Sequence, residues 1–200
     1  TTLCGIKLGA KPIFADVDNN SGAITPETIE PLITKRTKCI VVVHLGGWPA
    51  DVLEIKKLAK KNNLFLIEDC SQAHGAQIIH KEQKLSVGSI GDISTWSFCQ
   101  DKIMTTGGEG GMVTTNSEEL WKFMWSYKDH GKSYELINDQ SNNGSFKWVH
   151  ENLGTNYRIT EFQSAIGRSQ LKKLSNWNKV RTSNALKLIS ELSNLDIIRI

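Results

Sequence analysis

The chain has 200 residues, 39% of them hydrophobic, which is enough for one α/β domain with a substantial core. Its 24 basic and 21 acidic side chains form no long basic block, and this argues against nucleic acid as the main partner. No apolar run approaches the length that spans a bilayer, and the first residues do not form a signal peptide. We therefore expect a cytoplasmic protein with neither a membrane partner nor a nucleic-acid partner.

The cysteines and histidines indicate no metal site. The four cysteines are widely separated and include no Cys-x-x-Cys pair, so reduced thiols are expected rather than disulfides or zinc ligands. The five histidines show no ligand spacing such as His-x-x-x-His. We expect no metal in the functional site.

The first part of the chain predicts strands and helices in alternation. Residues 3–10 are typical of a helix end stopped by Gly9, and residues 12–17 predict a strand. A capping threonine followed by a proline, Thr25-Pro26, predicts a helix that runs to about Ile33. The β-branched run at 40–43 predicts a strand that is buried on both faces.

The next elements place polar residues at the ends of strands. Residues 49–51 begin a helix with apolar positions three and four residues apart, and this helix leads to a strand that ends at Asp69. Such alternation implies right-handed crossovers and a mostly parallel sheet, with ligands beyond the carboxyl ends of the strands. Asp69 and His44 are expected at that edge. Residues 77–87 are polar enough for a surface hairpin or loop.

Lys102 lies in a glycine-rich segment, residues 97–111, that joins two apolar runs. Because Trp96 and Phe98 precede it, we expect its amine to lie against packed surface, where the neutral, nucleophilic form is favoured. A carboxylate such as Asp69 can pair with a protonated pyridine ring, which is how proteins hold pyridoxal phosphate. The lysine and the aspartate together therefore indicate this cofactor.

The last part of the chain predicts helices. One begins after Ser117 and ends near Lys128, whereas residues 129–152 show no stable period and indicate a mobile or partner-ordered loop. A capping-box pattern at Thr160 begins a helix with one buried apolar stripe, and a second helix is expected over about 177–193. The stripe comprises Phe162, Ala165, Ile166 and Leu171.

Each candidate residue also has an ordinary structural interpretation. Asp69 could cap a helix formed by the residues that follow it, and Lys102 alone could be a solvated surface lysine. Ser97 could bind a phosphate oxygen or be a buried serine with its hydrogen bonds satisfied. His74 could support Asp69 or be a core or rim histidine. The pair of Asp69 and Lys102 is more informative than either residue alone.

Six motifs, in this order, resemble those of one family over nearly the whole chain. They are Gly9-Ala10-Lys11-Pro12 before Asp16-Val17-Asp18, Val43-His44-Leu45-Gly46-Gly47 before Pro49-Ala50-Asp51, Ile67-Glu68-Asp69-Cys70-Ser71-Gln72-Ala73-His74-Gly75, Ser97-Phe98 with Lys102, Gly108-Glu109-Gly110-Gly111, and Asn156-Tyr157-Arg158 ahead of Glu161. The chain resembles the DegT/DnrJ/StrS-type sugar aminotransferases, which are pyridoxal-phosphate enzymes that aminate nucleotide-linked keto sugars.

The resemblance implies a fold and a role for each residue. The fold would be the α/β large domain of the aspartate-aminotransferase type, with residues 1–175 binding the cofactor and 176–200 forming a connector helix and the start of a small domain. Lys102 would bind pyridoxal 5'-phosphate covalently and move a proton, and Asp69 would keep the pyridine nitrogen protonated. Gln72 would lie at the ring's face or phenolate oxygen, and Ser97 would bind phosphate. Arg158 or Asn156 would reach across a homodimer interface into the neighbouring site.

The resemblance also implies substrates and leaves alternative functions open. Glutamate would be the amino donor, and a nucleotide-linked keto sugar for polysaccharide biosynthesis would be the acceptor. Members of the family are longer at both ends, so this stretch alone is expected to hold its cofactor poorly. The family's sugar dehydratases replace the lysine with histidine, which Lys102 argues against. A non-catalytic regulatory or binding protein, or an inactive fragment, is the alternative from another class.

Overall fold

A four-stranded sheet organises the chain in this computed structural model, which describes residues 1–138, 149–193 and 195. Its strands are β1 (Cys39–Val43), β2 (Phe65–Asp69), β5 (Ile93–Ser97) and β6 (Gly111–Thr114), in the order β1-β2-β5-β6. The β1–β2 and β2–β5 pairs are parallel, and β6 is antiparallel to β5. Strands β3 (Gln77–His80) and β4 (Gln83–Ser86) form a separate antiparallel hairpin, as predicted for this segment. The predicted α/β fold with a mostly parallel sheet is confirmed.

The described residues contain six α-helices. They are α1 (Thr2–Lys7), α2 (Pro26–Ile29), α3 (Val52–Lys61), α4 (Glu118–Lys128), α5 (Tyr134–Asn138) and α6 (Glu161–Leu192). Helices α3, α4 and α6 begin at side-chain caps, from Asp51, Ser117 and Thr160 respectively. No helix of the described residues has the length and apolar character that a bilayer crossing requires.

The core lies on one face of the sheet. Ile40, Val42 and Leu66 are buried there against the apolar face of α3, which contributes residues such as Val52 and Ile55. On the other face Val41 is 38% exposed and Phe65 56% exposed. The prediction that the 40–43 strand is buried on both faces is therefore wrong, because the described chain covers only one face of β1.

Two further predictions from the first third of the chain need correction. Residues 12–17 form no strand, and Ile13 and Phe14 are exposed there. The helix expected over 25–33 divides into α2 and a 3-10 turn, Glu30–Leu32. Pro31 gives the physical reason, because proline has no N–H to donate the hydrogen bond that an α-helix needs at that position.

Helix α6 replaces the two helices expected near the end of the chain. It runs unbroken for 32 residues, because no proline interrupts 161–192 and its one glycine, Gly167, lies near its start. The expected buried stripe is also wrong, since Phe162 is 73% exposed and Leu171 is 59% exposed. The expected domain boundary at 175/176 falls within this helix.

Residues 129–138 and 149–152 contain regular structure. They contain α5, and single bridges join Asp129 to Asn156 and Lys132 to His150. The predicted mobile or partner-ordered loop therefore includes a short helix and two bridges, and its mobility stays a prediction. Residues 139–148, which the same prediction covers, lie outside the described residues.

Candidate functional site

Asp69 and the segment that carries Lys102 lie at the same edge of the sheet. Asp69 ends β2 and pairs with Thr95 of β5, and the N–H of Cys70 donates to the carbonyl of Thr95 at 2.9 Å. From there β5 leads through Ser97 to the turn that carries Lys102. Because β2 and β5 are parallel neighbours, their carboxyl ends meet at one edge, which is where α/β sheets bind ligands.

The Asp69 carboxylate is 9% exposed and accepts hydrogen bonds through both oxygens. Oδ1 accepts from the Ser71 N–H at 3.1 Å and from the Ser71 hydroxyl at 2.5 Å, and Oδ2 accepts from the Thr1 hydroxyl. Burial alone would raise the pKa of Asp69, but the bonds from Ser71 and Thr1 outweigh it and lower that pKa. The group is an anion near neutral pH. Residues 70–72 form a turn and no helix, so Asp69 is not the helix cap that the sequence also allowed.

The Lys102 side chain is largely shielded, as the aromatic residues before it indicated. It is 17% exposed, and its Nζ lies 3.2 Å from the Asp101 carboxylate. Its own N–H donates to the Cys99 carbonyl at 3.1 Å, which closes the turn 99–102. The carbonyl of Phe98 accepts from both the N–H of Thr106 and the hydroxyl of Thr105. The Lys102 loop, residues 98–110, is therefore closed by its own backbone.

Helix α6 contacts the Lys102 loop. Gln163 donates through Nε2 to the carbonyl of Glu109 at 2.7 Å. At Gly167 a Cβ would lie 2.8 Å from Cγ2 of Thr106, so the helix and the loop touch at a position that only glycine permits. Further along α6, Asn178 donates to the carbonyl of His74 at 2.8 Å. One helix thus contacts both the Lys102 loop and the segment that follows Asp69.

Gln72 and Ser97 flank the same edge. Gln72 accepts from the Gly46 N–H at 2.7 Å, which ties the segment after β2 to the turn after β1. Ser97 is half-buried, and its hydroxyl oxygen accepts from the Cys99 N–H at 3.3 Å. The Ser97 hydroxyl keeps its own hydrogen for donation, as a phosphate ligand requires.

Arg158 and Asn156 make their contacts elsewhere in the chain. The Arg158 guanidinium pairs with the carboxylate of Asp129, just beyond the end of α4. The backbone N–H of Arg158 donates to Oδ1 of Asn156 at 3.4 Å. Lys132 also pairs with Asp129, at 3.2 Å. The structure thus brings Asp69, Gln72, Ser97 and the Lys102 loop to one edge, while these contacts hold Arg158 and Asn156 beside Asp129.

The sequence did not reveal a buried network next to Asp69. Glu68 and His44 are fully buried, and Nε2 of His44 lies 3.0 Å from Oε2 of Glu68. Nδ1 of His44 accepts from the Ala50 N–H at 3.1 Å, and Glu68 also accepts from the N–H groups of Gly88, Ile90 and Gly91. Burial would raise the pKa of Glu68, but these hydrogen bonds, led by that of His44, lower it. The only signal was that Glu68 and Asp69 are adjacent on a strand and so face opposite ways.

The same network includes three groups that could hold a metal. Ligand atoms of His44, Glu68 and Cys70 lie within 4.8 Å of one another. However, because Nδ1 of His44 accepts a hydrogen bond, Nε2 carries the hydrogen and is not a free ligand. Burial, with the charges of Glu68 and Asp69, raises the pKa of Cys70 to about 12. Metal ligands must be deprotonated, so the chemistry of this group fits a hydrogen-bonded network instead.

The fold, with a lysine and an aspartate at the carboxyl edge of a mostly parallel sheet, defines an α/β protein of the aminotransferase type. The chain belongs to the DegT/DnrJ/EryC1/StrS aminotransferase family, whose sequence profile matches residues 1–200.

Individual relatives agree with this assignment. The chain is 42% identical over 165 residues to GDP-perosamine synthase of Escherichia coli O157:H7, covering 82% of this chain and 41% of that protein. It is 40% identical over 190 residues to a UDP-N-acetyl-3-dehydro-alpha-D-glucosamine 3-aminotransferase of Acidithiobacillus ferrooxidans, covering 95% and 47%. The solved aminotransferase from Psychrobacter cryohalolentis superposes with a TM-score of 0.89 at 53% identity, covering 94% and 47%. The chain thus spans about half the length of the curated relatives it matches.

Proposed function

We propose that the protein transfers an amino group from glutamate to a keto sugar carried on a nucleotide, with pyridoxal 5'-phosphate as cofactor. The placement of Asp69 and the Lys102 loop at the ends of neighbouring parallel strands carries this proposal. Membership of the aminotransferase family supports it, as does the similarity to a GDP-perosamine synthase and a UDP-sugar aminotransferase.

The residues at the edge fit the cofactor on their own chemistry. Asp69 is an anion at neutral pH, which matches a protonated pyridine nitrogen, and Lys102 supplies a shielded amine. When bound, the cofactor supplies an electron sink for the carbon that loses its proton. Lys102 would bind the cofactor covalently and then carry that proton, Gln72 would lie beside the ring, and Ser97 would donate its hydroxyl to the phosphate.

The wider assembly belongs to the same proposal. A homodimer would place Arg158 or Asn156 of one protomer at the partner's site, and the partly exposed guanidinium of Arg158 is compatible with that role. Residues 1–175 would form the cofactor-binding domain, and 176–200 would form the connector to a small domain. We place the activity in the cytoplasm, in polysaccharide biosynthesis.

A comparison of two aspartates tests the chemical roles in the full-length protein. Asp92 is also partly buried, but it lies before β5, where it accepts from the Leu66 N–H at 2.7 Å and pairs with Lys56 at 2.6 Å. Asp69→Asn should lower turnover far more than stability, since a neutral amide cannot balance the ring's positive charge. Asp92→Asn should lower stability and leave the turnover of the folded protein unchanged. Equal turnover of Asp69→Asn and wild type would refute the role of Asp69.

The lysine is tested by absorbance. Added pyridoxal phosphate should give the absorbance band of a lysine-bound cofactor in wild type and in Lys56→Ala, and no such band in Lys102→Ala. If Lys102→Ala keeps both the band and the turnover, the assignment is wrong. A wild-type protein that binds the cofactor but turns over no keto sugar would instead indicate the non-catalytic alternative.

A further inference from the structure

The hydrogen bonds of the Asp69 carboxylate are distributed unequally between its two oxygens. Oδ1 accepts two, both from Ser71: one from the N–H at 3.1 Å and one from the hydroxyl at 2.5 Å. Among the described residues Oδ2 accepts one, from the hydroxyl of Thr1. Because each carboxylate oxygen offers about two acceptor positions, Oδ1 is fully used. The open acceptor position of Asp69 therefore lies on Oδ2.

The two bonds from Ser71 to Asp69 do different things. The N–H bond joins an aspartate side chain to the backbone two residues on, an arrangement that shapes many turns and needs no side chain at the second residue. The hydroxyl bond is not required for such a turn. Its length of 2.5 Å is that of a hydroxyl bonded to a charged oxygen, and such bonds are about twice as strong as neutral ones. The hydroxyl of Ser71 therefore acts on the charge and orientation of the carboxylate.

The surroundings of Asp69 would otherwise favour its neutral form. Burial raises the pKa of Asp69, and among the effects that lower this pKa the hydroxyl of Ser71 is the largest, ahead of the Thr1 hydroxyl and the Ser71 N–H. The amino group of Thr1 also lowers it. The adjacent Cys70 thiol, with its pKa raised to about 12, is uncharged at neutral pH, and Glu68 points to the opposite face of the strand. Ser71 thus contributes most to keeping Asp69 an anion.

We propose that Ser71 is a positioning residue for Asp69: its hydroxyl keeps the carboxylate ionised and turned so that the open position on Oδ2 accepts from a cationic N–H donor. In the proposed function that donor is the ring nitrogen of the cofactor, and this use of the site rests on that function. A carboxylate that already accepts from Ser71 is a weaker base than a bare buried one, so the hydrogen stays on the ring nitrogen. The effect of Ser71 on the ionisation of Asp69 does not depend on the proposed function.

The ionisation can be measured by carboxyl 13C NMR on the full-length protein without cofactor. A titration from about pH 7 to about pH 3, with the Asp69 signal assigned by Asp69→Asn, gives the midpoint of this group. In Ser71→Ala we expect the midpoint to rise by about one pH unit, whereas Ser71→Thr, which keeps a hydroxyl, should stay near wild type. Ser94→Ala is the control, because it removes a buried hydroxyl that donates to the Gly88 carbonyl at 2.8 Å, and it should leave the midpoint unchanged. A Ser71→Ala midpoint no higher than that of wild type would overturn the proposal.

Two measurements with pyridoxal phosphate extend the test to the bound state. A crystal structure of the full-length protein with this cofactor should place the ring nitrogen within hydrogen-bond distance of the Asp69 oxygen that does not accept from Ser71, and contact with the other oxygen would refute the assignment of Oδ2. Turnover should fall about tenfold in Ser71→Ala and recover in Ser71→Thr. Equal turnover of Ser71→Ala and wild type would show that the hydroxyl positions nothing. If wild type turns over no keto sugar, the proposed function fails while the NMR result still decides the role of Ser71.

Discussion

Replacing Glu68 by glutamine should destabilise the protein although the two side chains have the same shape. Each carboxylate oxygen of Glu68 accepts from two donors: Oε2 from His44 and Gly88, and Oε1 from Ile90 and Gly91. A glutamine has one oxygen and one NH2 group. Whichever way the amide turns, two buried donors then face an NH2 group.

A change in the tautomer of His44 would not restore the lost hydrogen bonds. If Nε2 lost its hydrogen to accept from the new amide, Nδ1 would gain one and point it at the Ala50 N–H, which now donates to Nδ1. Leaving a buried donor unpaired costs about 1–3 kcal/mol, so two of them give a loss of about 2–6 kcal/mol in the free energy of unfolding. This is a large share of the about 5–15 kcal/mol that stabilises a typical domain.

Urea denaturation at pH 7.5 measures this loss as a shift of the midpoint at constant slope. Glu54→Gln is the matched control, because the Glu54 carboxylate is exposed and pairs with Lys57 on one helix, and we expect a change within about 0.5 kcal/mol. A loss below about 1 kcal/mol for Glu68→Gln would show that this network does not hold together the turn after β1, strand β2 and residues 88–91.

The pH dependence gives the same variant a second test. Because the folded protein lowers the pKa of Glu68, its ionised form contributes stability that is fully present above the unfolded pKa of about 4.3 and is lost as the pH falls through the folded value. The difference between wild type and Glu68→Gln should therefore be constant between about pH 6 and 8 and shrink below about pH 4. A difference that grows toward acid pH would have the wrong sign for this reasoning.

Three further outcomes follow from single contacts. Gly75 and Gly9 both have φ of +78°, but a Cβ at Gly75 would lie 2.3 Å from Nδ2 of Asn178, whereas one at Gly9 meets no atom within 4 Å. Gly75→Ala should therefore lower the free energy of unfolding by about 1–2 kcal/mol more than Gly9→Ala, measured by thermal unfolding. Equal losses would exclude docking of α6 on this turn. The buried thiol of Cys70, with its pKa raised to about 12, should react with a thiol reagent at pH 8 only after the protein unfolds. The exposed thiol of Cys4 should react at once. Rapid reaction of all four thiols in the native protein would contradict this prediction. Ser117→Ala should lower the free energy of unfolding by about 1 kcal/mol, because the Ser117 hydroxyl accepts from the Leu120 N–H at 3.3 Å at the start of α4. Ser89→Ala, in an exposed turn, is the control.

The elements that the sequence predicted well are those set by local patterns. The apolar spacing of α3, the caps at Ser117 and Thr160, and the apolar runs of β1, β2 and β5 all depend on residues a few positions apart. The failed prediction for β1 depends instead on distant packing. Whether Val41 is buried depends on what covers the second face of the sheet, and the β-branched run of one strand contains no information about that cover.

The candidate site also has features that the sequence predicts and features that it does not. The rule that parallel strands bring their carboxyl ends to one edge placed Asp69 at that edge, and in the structure Asp69 ends β2 beside Thr95 of β5. The bond from Gly46 to Gln72 and the network around Glu68 join residues about 20 or more positions apart, so no local pattern reports them. His74 is intermediate, because the sequence marked it beside Asp69 but could not show that its ring is buried beside Trp96 and Phe98.

Two separate parts of the fold set the spacing between the Lys102 loop and Asp69. The pairing of β2 with β5 places Asp69 beside Thr95, and α6 joins the Lys102 loop at Gln163 to the segment after Asp69 at Asn178. Between these two contacts the helix rises about 22 Å, at about 1.5 Å per residue, and a helix of that length bends little. Because both contacts are hydrogen bonds from side chains to carbonyls, their loss should loosen the two loops while the sheet pairing still holds Asp69 and the base of the Lys102 loop together. The helix thus limits the motion of the site, and the sheet determines its position.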